Sequence, residues 1–134
     1  MKQLKKPLIS LCLLTSLLAY AGFANAGETP GSSQVAPGIP VQNTVTLVDL
    51  GATICIPCKM MAPLLEELKA EYKGRAEVLF IDVYAKPGIA KPFAIRAIPT
   101  QIVYDRQGKE VFRHLGFLEK NAMKEQLDQY LAVK

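Results

Sequence analysis

The sequence predicts an α/β sandwich, one small domain with helices flanking a central mixed β-sheet in the order β-α-β-α-β-β-α. Three observations carry this prediction. Two β-branched, apolar runs at 44–50 and 76–83 are separated by a long amphipathic helical stretch, and a strand–helix–strand crossover makes a parallel pair. Two further strand-like runs flank Asp105-Arg106-Gln107-Gly108, a hairpin turn signal, and hairpin strands are antiparallel. A second amphipathic helix closes the chain.

In chain order, Met1 to Lys6 carries Lys2, Lys5 and Lys6 and no acid. An apolar run follows from Leu8 to Ala19, then small residues ending in Ala24-Asn25-Ala26. This is the pattern of a cleaved secretory signal peptide over 1–26, and it predicts a periplasmic or otherwise extracytoplasmic protein. An uncleaved anchor needs roughly 20 predominantly apolar residues, and this run is shorter and holds Ser and Thr. Cys12 invites a lipid-attachment reading, but bulky Leu11 precedes it inside the apolar run, so it reads as a small hydrophobe. Losing three lysines reduces 16 basic side chains to 13, against 12 acids. A nearly neutral mature chain lacks the basic footprint of a nucleic-acid binder.

Residues 27–43 are rich in Pro, Gly and Ser and read as a flexible leader, with the folded domain at 44–134. Thr44 to Leu50 is a buried strand. From Lys59 to Tyr72 the spacing is helical, with Met60, Met61, Leu64, Leu65, Leu68 and Tyr72 assigned to one face and Glu66, Glu67, Lys69 and Glu71 to the other. Pro63 lies inside that helix and should kink it. Ala76 to Val83 is a second buried strand. A short helical stretch over Lys86–Ala94 is weakened by Pro92. Gln101–Tyr104 and Glu110–Leu115 form the hairpin strands. Glu119 to Val133 is the closing helix, with Met123, Leu127, Tyr130 and Leu131 inward.

The chemistry concentrates at Cys55-Ile56-Pro57-Cys58, where the first strand gives way to the long helix. A thiol at a helix N-terminus meets unpaired N–H groups and the positive end of the helix dipole, which favour the thiolate. The thiolate is the species that attacks a disulfide. Cys55 is therefore the expected attacker. Cys58, one turn into the helix, is placed to resolve the mixed disulfide. Pro57 suits a first helical turn and stiffens it. Two other readings stand beside this one. A C-x-x-C can be half of a zinc site, but that site usually needs four ligands, and the mature chain adds only His114. It can also be an inert structural disulfide, although so small a ring stabilises little.

From Val48-Asp49-Leu50 through Cys55-Ile56-Pro57-Cys58-Lys59-Met60-Met61-Ala62-Pro63-Leu64, the chain resembles the thioredoxin active-site region. Ile95-Arg96-Ala97-Ile98-Pro99-Thr100 resembles that family's cis-proline loop, and Gly116 matches the glycine after its last strand. The likeness runs from about Thr44 to Leu131. It implies a thioredoxin-like fold and a thiol-disulfide oxidoreductase that needs no cofactor beyond the redox-active Cys55–Cys58 pair, and no metal. It implies that Pro99 is cis, that Ile98 offers backbone groups to an extended client, and that Ile56, Pro57, Thr100 and Gly116 border the client site. Asp49 matches a buried acid whose raised pKa lets it exchange a proton with Cys58.

Several positions depart from the family pattern. The chain has no Trp, Ile56 stands where Gly is common, and Phe80 stands where a lysine usually approaches the buried acid. Without that cation Asp49 should be harder still to ionise. The family's first strand and helix are missing or replaced by the leader. Pro57 and Ile98 resemble reducing members, which points to a reductase of exported proteins; with no dimerisation segment visible, a monomer is expected. A membrane electron donor and clients such as apocytochrome c are the implied partners. A disulfide oxidant or isomerase is the alternative within the same chemistry. A module binding metal or client through the cysteines and an apolar groove at Ile56, Ile98 and Phe117 is the alternative outside it.

Overall fold

All seven residues of the first strand, β1 (Val45–Gly51), are buried, and the architecture follows from that. A strand buried on both faces must lie inside the sheet with cover on each side, which is what a continuous apolar run encodes. The computed structural model of the chain describes residues 38–133; the predicted signal segment, Cys12 and most of the predicted leader lie outside them. β2 (Ala76–Asp82) runs parallel to β1, from Val45 opposite Ala76 to Gly51 opposite Asp82. β3 (Thr100–Tyr104) lies antiparallel on the other side of β1, and β4 (Glu110–Leu115) pairs antiparallel with β3. The order is β2-β1-β3-β4, the mixed sheet the sequence predicts.

Alternation along β1 divides the core in two. Val45 and Leu47 point to one face, under α1 (Ile56–Glu71) and α2 (Lys120–Ala132), where Met61, Leu65, Leu68, Tyr72, Met123 and Leu127 pack. Val48 and Leu50 point to the other, against Ile81, Phe93, Ile102 and Tyr104. Tyr72 closes α1 and its hydroxyl donates to Asp128 Oδ1 at 2.8 Å, joining the two helices.

Three details differ from the sequence reading. Met60 is 58% exposed instead of inward-facing. Each helical residue turns the chain about 100°, so the stripe that buries Met61, Leu65 and Leu68 sends Met60 outward beside Ile56, one turn earlier. The helix also begins at Ile56, three residues before Lys59, because Cys55 caps it and Pro57 fits its first turn. The helical stretch over Lys86–Ala94 contracts to one 3-10 turn, Lys91–Phe93, which places Phe93 in the core. Pro87, Gly88 and Pro92 leave too few good helix positions for more.

The end of the leader touches the domain. Ile39 packs on the Val48–Phe93 cluster, and the Val41 N–H donates to Thr46 Oγ1 at 3.2 Å.

Candidate active site

Cys55 has extended backbone angles (φ −85°, ψ 123°) and stands as the N-cap of α1. Its Sγ accepts from the Cys58 N–H at 3.4 Å, the place a Ser or Asp oxygen fills in an ordinary cap. The sulfur thus sits where the orphan N–H groups and the helix dipole favour a negative charge. Cys55 and Cys58 are joined as a disulfide with their Cα atoms 5.2 Å apart. Cys55 is half-buried, while Cys58 is only 3% exposed. An outside disulfide can reach the first sulfur, and the second meets it from behind.

The loop ahead of Cys55 is pinned from β2. Asp82 Oδ1 accepts from the Tyr84 N–H at 2.9 Å and Oδ2 from the Thr53 N–H at 3.2 Å. These backbone bonds, Tyr84 first, hold its carboxyl below the usual range. Sequence reading assigned Asp82 only to a strand. Gly51 is equally constrained: a Cβ there would lie 2.9 Å from the Phe80 ring and 3.1 Å from Cys58 Sγ. A side chain at this position would crowd the buried sulfur and that ring over the end of β1.

Ile98–Pro99 is a cis bond, as the resemblance implies. Pro99 is buried, and Thr100, next to it, pairs with Leu50 one residue before Gly51. The proline loop and the dithiol loop therefore emerge from the same end of the sheet. Thr100 is itself buried and its hydroxyl donates to Ala97 O at 2.7 Å, so it shapes the loop from within. Gly116 donates its N–H to Pro99 O at 2.8 Å with φ +99°, a backbone angle suited to glycine. Among the described residues the backbone N–H and C=O of half-buried Ile98 have no partner. Ile56 is 74% exposed. Phe117, assigned above to the apolar groove, is half-buried and packs against the core under the helices, and its carbonyl lies 3.2 Å from His114 Nε2. Ile54, 76% exposed, and Met60 join Ile56 around Cys55, and neither was singled out from sequence.

Asp49 is fully buried on the α1 side of β1. Burial pushes its pKa up to about 6, and a hydrogen bond from Gln101 pulls the other way. Gln101 Nε2 donates to Asp49 Oδ1 at 2.7 Å, while Asp49 Oδ2 has no partner among the described residues. Gln101 is a site residue that sequence reasoning missed. Its signal was a polar amide inside a strand otherwise written in apolar and β-branched residues.

A capped, accessible sulfur, a buried partner sulfur one turn on and a cis-proline loop at the same sheet end define a thiol-disulfide oxidoreductase. Comparison with known proteins agrees. The family profile "Thioredoxin" matches residues 35–129. Thioredoxin of Staphylococcus aureus strain Mu50 is 45% identical over 91 residues, spanning 68% of this chain and 86% of that protein. The thioredoxin of strain N315 gives the same figures. The crystal structure of a chloroplastic thioredoxin z superposes with a TM-score of 0.64 at 30% identity, covering 76% of this chain and 91% of that one. The chain belongs to the thioredoxin family.

Proposed function

We propose that the chain is an exported disulfide reductase acting on extracytoplasmic proteins. The observation that carries this reading is the asymmetry of the two sulfurs, Cys55 half-open at the helix N-terminus and Cys58 buried behind it. Cys55 thiolate attacks a client disulfide, forming a mixed disulfide and releasing one client thiolate. Cys58 then displaces the second client sulfur, its proton passing to Asp49, and the Cys55–Cys58 bond closes. Pro57 and Ile98, by their resemblance to reducing members of the family, support the reducing direction, and the signal-like segment over 1–26 supports export. Exposed Ile54, Ile56 and Met60 offer apolar contact, and the free backbone groups of Ile98 suit an extended client segment. A reductase in an oxidising compartment has to be recharged, so a membrane-bound dithiol donor is its proposed partner, and apocytochrome c is a candidate client.

Cys58→Ser tests this directly. Expressed in full length, it should accumulate exported clients as mixed disulfides on Cys55, recovered from the extracytoplasmic fraction and released by reductant. Adducts confined to the cytoplasmic fraction would contradict export, and no adducts at all would contradict the reductase reading.

A further inference from the structure

Phe80, Asp49, Gln101 and His114 lie side by side across the four strands, each in register with the next. Gln101 is fully buried in that row, and two acceptors clamp the end of its side chain. Its Nε2 is 2.7 Å from Asp49 Oδ1 and 3.3 Å from Met61 Sδ, so the donor end of the amide must face them. With Oδ1 occupied, Oδ2 is the carboxyl oxygen left without a partner among the described residues; Gln101 Oε1 is the other buried acceptor so left.

We propose that Gln101 is a positioning residue for the resolving half-reaction, holding Asp49 by Oδ1 so that the proton of Cys58 goes to Oδ2. The proposal rests on the proton-exchange reading of Asp49 given above. In the step, the Cys58–H bond breaks and Oδ2 gains the proton. The sulfur forms the Cys55–Cys58 bond, and the Cys55–client bond breaks, releasing the client thiolate. From β2 the facing group is the apolar Phe80, so no cation supports the carboxylate from that side. From α1, Met61 Sδ meets the Gln101 amide and Cys58 lies over Gly51, two residues along β1 from Asp49, with Lys59 and Glu66 lining the groove outside Cys58. β4 brings His114 beyond Gln101, and α2 brings the apolar Met123 and Leu127. The neutral amide of Gln101 therefore supplies the donor that steadies the charged form of Asp49.

The test replaces the amide by apolar side chains of similar size, Gln101→Met and Gln101→Leu, which keep the core filled. The Asp49 carboxyl is titrated by carbon NMR in the disulfide form. Resolution of a Cys55 mixed disulfide is followed by stopped flow across the same pH range. Each variant should raise the Asp49 midpoint by about one pH unit, as loss of a charge-assisted bond requires, and move the pH–rate midpoint with it. An Asp49 midpoint unmoved in both folded variants overturns the proposal. Asp49→Asn distinguishes the failure of the underlying reading: resolution as fast as in the unaltered protein would remove Asp49 as proton acceptor, whatever the Gln101 variants do to its titration.

Discussion

At the scale of single residues, Asp49 sets a tension between stability and chemistry. Its carboxyl is shut away from water, and burial lifts its pKa from the ordinary 3.8 to about 6 against the opposing pull of the Gln101 bond. The unfolded chain has lost this proton above about pH 4, while the folded chain keeps it until about 6. Between those values the folded state binds more protons, so stability falls as pH rises, and the full penalty is present above the folded pKa. A shift of that size corresponds to about 2–3 kcal/mol at pH 7. Asp49→Asn should therefore stabilise the disulfide form by about that much at pH 7 and hardly at all at pH 4, read by urea denaturation at both. Equal gains at both pH values would mean that the substitution acts through packing and not through ionisation. Such a penalty is retained where it serves function, and a carboxyl poised near neutrality can give and take a proton. The burial of Asp49 was legible through the resemblance of its surroundings to the thioredoxin active-site region. Gln101 was not, because its partner lies 52 residues away and only the strand register brings them together.

At the scale of elements, the end of β1 and the start of α1 act as one unit. Gly51 admits both Cys58 and Phe80, and they respond differently to a side chain placed there. The Phe80 ring is 45% exposed at the sheet edge and can swing away. Cys58 Sγ and Cβ, 3.1 and 3.2 Å from a Cβ at Gly51, are fixed by the disulfide and the helix. Gly51→Ala should cost about 1–2 kcal/mol, and adding Phe80→Ala should recover only a minor part. A double-mutant cycle on thermal unfolding measures the split, and full recovery would show that the ring alone is crowded. The same segment shows what local pattern can and cannot tell. Cys55 at the helix N-terminus and Pro57 in a first turn follow from neighbours in sequence, so they were readable. Met60 was placed inward because spacing alone cannot phase a helix to within one residue. Only packing on the sheet decides that Met61 goes in and Met60 goes out.

At the scale of the whole molecule, the fold is a thioredoxin-like sheet whose described part has four strands, with β2 at its edge. The order of elements was readable because each strand and helix has its own periodicity and the crossover fixes a parallel pair. What covers the second face of the sheet was not. That cover comes from Phe93 on a single 3-10 turn and from Ile39, Val83, Ile89 and Ile95 outside the helices and strands, segments with no period to read. The proposed function asks this scaffold to hold a dithiol that gives up electrons, and that property belongs to the molecule, since the helix dipole, the buried acid and the apolar surroundings of Cys58 all bear on it. The measurement that tests it most directly is the equilibrium reduction potential of the Cys55–Cys58 pair in the purified protein against glutathione, with Cys58→Ser as the control that cannot close the ring. A value near the roughly −270 mV of a reducing thioredoxin is predicted; a value near about −120 mV would make the protein a disulfide donor and contradict the reductase assignment.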